Sequence, residues 1–520
     1  MKLSNWKTFV VVAGVLSAGC QDLVVDNTNN PDRDRALSAP GDVETLAAST
    51  FRDLYNRLHS SQGVYDLFTV MGDAFAGTYA NSGALELSSE PPVPFNNNPL
   101  SDPHTSASRN IWEPLHKGVS SSNDALAAIK SGLKIETGSP VVDNTNRTFI
   151  WSKMWQGLLY GHLALIYDRG MIATEDTDLS NPTALEYEPW QDVMAQAFAS
   201  LQTAIDTATK YNVTIPDTWI PSKTYNSAEL VRIMNSYRAR FLVYGARRPS
   251  DRAQVDWNKV IQYIDAGITQ DFGVTLASGV ITSGYMSRLQ QTGTFSAWGD
   301  YKMIGHADVS GNWQAWLAKP IQDRTRFLIT TPDRRITGPT PTSSGSYFRY
   351  RADNIFRPER GTYHQSHYQW FRNAGRTNSG FLTLMSVDEM RLLKAEALIR
   401  LGRQAEAVPL INVTRTRTQR IGTTDHPGLP AVTVTGVTQA ADCVPKTKAG
   451  ACGNLLDALL YERMIETYAL DTFISWLDSR GWGRLVPGTF LHLPVPGREL
   501  LTLGRPNYSF GGVGGPDAAE

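Results

Sequence analysis

SVDEMRLLKAEALIRLGRQAEAVPLINVTRTR, Ser386 to Arg417, decides the fold. Ser386 and Glu389 stand at capping-box spacing, in which each side chain satisfies the other residue's backbone N–H, so a helix starts there. Ala395, Leu398 and Leu401 repeat near a period of 3.6 on one face, and Gly402 ends the run. Arg403 to Arg417 resumes the pattern with Ala405, Ala407 and Ile411, and Pro409 should kink it. Small residues at a crossing and a tight Gly turn describe two helices folded back on each other, a tetratricopeptide-like unit.

The same period recurs upstream and downstream. Residues 42–56, 110–129, 147–167, 188–209, 227–246 and 256–269 read as helices, with Asp256 as an N-cap, and 455–476 reads as one more. Gly157 and Gly161 are four apart, so a neighbouring helix should approach closely there. The fold class is therefore mostly α: helix pairs forming a scaffold. Between about 275 and 380 the helical period disappears. Fifteen of residues 281–380 are aromatic, 15% against 10% for the whole chain, which argues for order in a loop-rich insert.

The chain has 520 residues, 41% of them apolar, enough for a large core, so global disorder is excluded. Lys plus Arg number 49 and Asp plus Glu 50, a net charge of −1 that leaves no footprint for nucleic acid. Lys2 and Lys7 precede an apolar run, Phe9 to Leu16, too short to span a bilayer. Ser17, Ala18 and Gly19 then lead to Cys20. This start resembles a bacterial lipoprotein signal peptide (1–19), with Cys20 lipidated and 20–41 a polar leash; an ordinary secretory signal is the alternative. Length alone suggests three or four domains. Cys443 and Cys452, in an exported chain, are expected to pair with each other.

Catalytic motifs are missing: there is no H-E-x-x-H, no G-x-S-x-G and no P-loop. His364 and His367 read as hydrogen-bonding loop histidines rather than metal ligands, and the acidic run Glu175, Asp176, Asp178 as a solvated loop. No metal or cofactor is implied. What remains is binding. Aromatic rings on irregular backbone, mixed with polar residues, suit a sugar, whose C–H face packs on a ring and whose hydroxyls need donors and acceptors. The candidates are Trp298, Trp313, Trp316, Tyr347, Tyr363 and Trp370, with Tyr79 and Phe95 as additions.

The order of features resembles the SusD/RagB family of nutrient-binding outer-membrane lipoproteins along nearly the whole chain. The carriers are Cys20-Gln-Asp-Leu-Val-Val, Ile111-Trp112 through Asn123-Asp124-Ala125, the 147–209 pair, Lys394 to Leu398 with Ala405-Glu-Ala407, and Glu462-Arg463 with Glu466. Trp476-x-Asp478-x-Arg480-x-Trp482-Gly483 and Leu493-Pro-Val-Pro496-x-Arg498-Glu499 complete the set. The resemblance implies a single domain, residues 42–520, with a loop-rich ligand-binding face on a tetratricopeptide-like scaffold. It further implies a surface position on the bacterial outer membrane, an oligosaccharide or peptide ligand, and delivery to a SusC-like TonB-dependent transporter without catalysis. A secreted glycan hydrolase on a helical scaffold and a structural helical-repeat adaptor are the alternatives. The adaptor would wall the 281–380 aromatics into the core, so that Trp298→Ala and Trp313→Ala unfold it; a binding face would leave stability nearly unchanged.

Overall fold

The computed structural model describes residues 33–59, 65–76, 84–100, 104–180, 185–284, 298–352, 364–371, 378–468, 470 and 473–520. Cys20, Tyr79 and Tyr363 lie outside the described residues. Among those described, no helix is long and apolar enough to cross a membrane.

Ten helices carry the architecture: α1 (Pro40–Leu58), α2 (His104–Lys130), α3 (Thr145–Ile166), α4 (Trp190–Lys210), α5 (Ser227–Tyr244), α6 (Trp257–Asp265), α7 (Val387–Arg400), α8 (Gln404–Arg415), α9 (Leu455–Glu466) and α10 (Ile474–Trp482). Each packs on its predecessor from α1 to α8, and α9 lies against both α7 and α8. The mostly α fold is therefore a ladder of helix pairs. The expected single helix over 455–476 is two, α9 and α10. A short helix, Arg33–Ser38, occupies the end of the expected leash.

α3 is the axle. It is buried nearly all round, as an all-round apolar helix must be. A Cβ at Gly157 would sit 2.7 Å from Leu201 Cγ on α4, and one at Gly161 would strike the Phe241 ring of α5. Close approach of both neighbours therefore requires glycine. Gly402 has φ +75°, the left-handed stop expected after α7. Asp256 caps α6 by accepting from the Lys259 N–H at 2.9 Å. Helix α8 runs on through Pro409.

The Ser386 cap is half of the expected box. Ser386 Oγ accepts from the Glu389 N–H at 3.0 Å, but the Glu389 carboxylate turns inward. There it takes Arg240 Nε at 2.8 Å and the Tyr244 hydroxyl at 2.9 Å. Glu389 thus joins a set of buried ion pairs. Arg252 grips Glu396 at 2.9 and 2.7 Å and donates to Asp478 Oδ1 at 3.0 Å. Arg463 holds the other Asp478 oxygen and donates to Tyr244 at 2.9 Å. Arg335 reaches Glu462 at 2.7 Å, Asp333 at 2.8 Å and Glu466 at 3.0 Å. Two further buried guanidiniums meet carbonyls at helix ends. Arg247 donates to Ala164 O in the last turn of α3 and to Tyr167 O just after it, and Arg480 to Tyr244 O at the end of α5. The Glu462-Arg463-Glu466 and Asp478-Arg480 motifs are internal stitching.

Among the described residues, the expected loop-rich insert at 275–380 carries or borders five strands. Strands β1 (Phe272–Leu276), β2 (Trp298–Asp300), β3 (Phe348–Tyr350), β4 (Gln365–Trp370) and β5 (Gly380–Met385) build two antiparallel sheets, β2-β4-β3 and β5-β1. Glu175, expected in solvent, pairs at 2.6 Å with Lys153, a largely buried lysine of α3.

Two outcomes follow. Arg335→Leu leaves Asp333, Glu462 and Glu466 without their shared cation and should cost about 3–5 kcal/mol in a urea titration. Burial pushes the Glu396 carboxyl up, but Arg252 outweighs it and holds it at about 2, below the ordinary 4.5. The stability this pair contributes is complete above pH 4.5 and drains as pH falls toward 2. Glu396→Gln should lower stability at pH 7 and flatten that acid branch of the pH–stability curve.

Candidate functional site

A cavity of about 420 Å³ opens where the β2 edge, the 443–452 loop and helices α9 and α10 meet. A second hollow, between α1 and α2, is a shallow surface groove crossed by the exposed Lys117–Asp53 pair.

β2 ends in Asp300, whose side chain caps the short helix Tyr301–Ile304 by accepting from the Lys302 N–H at 2.7 Å. That cap aims the Lys302 ammonium into the cavity wall. There it meets Asp73, Glu90 at 2.6 Å and Asp300 at 4.0 Å. Asp73 occupies a left-handed turn with φ +58° after the helix Tyr65–Met71. His364 Nε2 lies 2.8 Å from Glu90, and Arg324 stands 4.0 Å from its other oxygen. Burial opposes charge on Lys302, but its three carboxylates outweigh that and hold the ammonium above its ordinary range. Burial likewise works against Glu90, and His364 and Lys302 overcome it, keeping that carboxyl well below the usual range. Burial pushes the Asp300 carboxyl well above its usual range, and pushes the His364 imidazole down to about 4, aided by Lys302. At neutral pH His364 is uncharged.

The opposite wall is the 443–452 loop. The expected Cys443–Cys452 disulfide is present and closes it. The Lys446 N–H donates to His306 O at 2.7 Å, His306 Nδ1 meets Lys446 O at 2.8 Å, and Gln314 donates to Thr447 O at 3.1 Å. These bonds press Thr447 and Lys448 against the cavity. The floor is α10, which contributes Ser475, Asp478, Ser479 and Trp482.

Most candidate aromatics of the sequence are not a platform. Trp298, Trp313, Trp316, Tyr347, Trp370 and Phe95 are all buried. The Trp298 ring lies under the Arg326 and Arg351 guanidiniums at 5.4 and 5.7 Å. Trp316 is covered by Arg324 at 4.5 Å. The Tyr347 hydroxyl donates to Glu466 at 3.0 Å. Trp370 packs on Tyr468 and Phe95 on Phe490. Only Trp313 among them borders the cavity, and it is 0% exposed, tilted against His306. These rings are buried in the protein interior. His364 and His367 meet Glu90 and the Arg351 carbonyl, the hydrogen-bonding role expected. Among the described residues no cluster of three or more His, Cys, Asp or Glu could hold a metal ion.

Sequence reasoning missed Asp73, Glu90, Lys302, Arg324 and Ser475. They are single polar residues on separate segments with no shared spacing. Trp482 and Asp478 were visible only as members of a motif. Trp482 is held by guanidiniums of Arg252, Arg463 and Arg484, 5.3 to 5.8 Å from its ring. Three atoms of lining residues, Asp73 Oδ2, Ser475 Oγ and Trp482 Nε1, are buried and make no hydrogen bond.

No protein-family model and no curated protein matches the sequence. Solved structures do. A SusD superfamily protein from Bacteroides thetaiotaomicron superposes with a TM-score of 0.55 at 14% identity, covering 90% of this chain and 97% of that one. A SusD homolog from Parabacteroides distasonis gives 0.54 at 14% identity, with 84% of each chain covered. A SusD-like carbohydrate binding protein from Bacteroides vulgatus gives 0.51 at 14% identity, covering 86% and 84%. The chain has the SusD fold.

Two measurements test the core placement of Trp313 and the role of the disulfide. Trp313→Ala should cost about 3–5 kcal/mol in a denaturant titration, as a core ring and not a surface one would. Replacing Cys443 and Cys452 together by Ser should cost about 2–3 kcal/mol and speed amide exchange across residues 446–451.

Proposed function

We propose that this protein is a non-catalytic nutrient-binding lipoprotein of the outer membrane. It takes a glycan into the cavity bounded by Lys302, Thr447 and α10, and hands it to a SusC-like TonB-dependent transporter. The observation that carries the reading is a ligand-sized cavity with a mixed polar and apolar lining on a SusD fold. A structural neighbour described as a carbohydrate binding protein supports the ligand class by analogy of fold. The lipoprotein-like start ending at Cys20 supports the anchor and the surface position.

Non-catalysis is supported by the carboxylates. A glycosidase needs one carboxyl free to give a proton and a second free to attack or to activate water. Of the four carboxylates that line the cavity, Asp73 and Glu90 are tied to the Lys302 ammonium, Asp478 is held by Arg252 and Arg463, and Asp457 stands 3.9 Å from Arg484. The buried aromatics are what the adaptor reading expects and not what an aromatic binding face would show, but the adaptor leaves the cavity without a role.

Isothermal titration of the purified mature chain against glycan and peptide panels should show saturable glycan binding without product release. Trp482→Ala should weaken it at least tenfold. Cys20→Ser should move the protein from the membrane fraction to the soluble one. Binding of peptides alone, cleavage of a glycan by the pure protein, or an absence of any ligand would overturn the proposal.

A further inference from the structure

Each carboxylate on the cavity wall is already answered at hydrogen-bonding distance. Asp73 is bonded to Lys302, and Glu90 lies 2.6 Å from the same ammonium. Asp478, on the floor, is held by Arg252 at 3.0 Å and by Arg463. Asp457 gives one oxygen to the Asn454 N–H at 3.1 Å, closing the cap of α9. The cations are not matched in the same way. Arg484 stands 3.9 Å from the other Asp457 oxygen and Arg324 4.0 Å from Glu90, both beyond direct bonding. Among the described residues, Lys448 forms no ion pair or hydrogen bond through its ammonium, and the carboxylate that feels its charge, Asp73, is the one Lys302 holds.

Lys448 and Arg484 converge on one corner. Both act on the His306 imidazole, which burial chiefly pushes down to about 3, so it is uncharged at neutral pH. His306 and Arg484 also share the wall of a small cleft beside Thr447. The loop under Lys448 is braced: the disulfide closes it, the Thr447 N–H donates to Ala451 O at 2.8 Å, and the Gly450 N–H donates to Thr447 O at 2.9 Å. Lys448 is exposed and the Arg484 side chain is 25% exposed, so a molecule in the cavity reaches both. Met303, Met464 and Leu485 supply apolar wall for the C–H surface of a ring.

We propose that the cavity takes an acidic saccharide, its carboxylate or sulfate held by the Lys448 ammonium and the Arg484 guanidinium, in preference to the neutral sugar of the same backbone. This rests on the glycan-binding reading above and narrows it. An anion placed there meets two cations whose own contacts leave donors over, and charge-assisted hydrogen bonds to an oxyanion are about twice as strong as neutral ones. Lys448 stands at the mouth, where water and salt screen it, so the preference falls as ionic strength rises.

The test is isothermal titration of the full mature chain against matched pairs: oligogalacturonides with their methyl esters, and sulfated galactan oligosaccharides with their desulfated forms. At least one acidic member should bind roughly tenfold tighter than its neutral partner, and raising salt from about 0.05 to about 0.5 M should shrink that ratio to about threefold or less. The arm that binds, carboxylate or sulfate, identifies the acid. Lys448→Gln and Arg484→Gln should each cut the acidic-over-neutral ratio roughly three- to tenfold, and Lys448→Glu should abolish or invert it. Lys448 is exposed, so both of its variants remain folded. Equal or tighter binding of the neutral partners overturns the proposed selectivity while leaving glycan capture standing. A ratio unchanged in both Lys448→Gln and Arg484→Gln overturns the assigned cations. Failure of every saccharide removes the underlying reading as well.

Discussion

Pairing of buried guanidinium with buried carboxylate is the constraint on which the rest of the molecule depends. Removing a charge from water is costly, and only close, multiply hydrogen-bonded partners offset it. Here the partners come from different helices. Arg240 of α5 meets Glu389 of α7. Arg252 joins Glu396 of α7 to Asp478 of α10. Arg335, on a loop, meets Glu462 and Glu466 of α9. Apolar packing alone tolerates some sliding of one helix along another. A bidentate pair in a desolvated setting does not, because a small shift strands two charges. The pairs therefore set the register of α5, α7, α9 and α10, and with it the position of the cavity floor.

Much of this was legible in the chain. Helix period, the Gly402 stop, the Asp256 cap, the Gly157 and Gly161 approaches and the Cys443–Cys452 bridge are local signals, and each holds. The half-formed box at Ser386 shows where local reading ends: Glu389 had two uses for its carboxylate, and the long-range one to Arg240 prevailed. The break between α9 and α10 was hidden by a continuous apolar pattern over 455–476.

The aromatic segment was the larger misreading. High ring density with little helical period describes a sugar platform and the core of a small sheet equally well. What separates them is what lies across from each ring, and that is tertiary information. Trp298, Trp316 and Trp370 face guanidiniums or other rings. The cavity, conversely, is lined by isolated polar residues such as Asp73, Lys302 and Ser475, which no spacing rule connects. The SusD fold is shared with structures at about 14% identity, so its scaffold tolerates wide replacement of side chains.

The cavity draws its walls from both extremes of the polypeptide. Asp73 and Glu90 come from the early part, Lys302 from the middle, and Thr447, Ser475 and Trp482 from near the end. Helices α1 to α6 can pair as they emerge during synthesis, since their contacts are between sequence neighbours. The cavity has no such option: it exists only after the last tenth of the chain has been made and has folded back on the first fifth. Nascent or C-terminally truncated chains would carry much of the helical ladder while holding nothing.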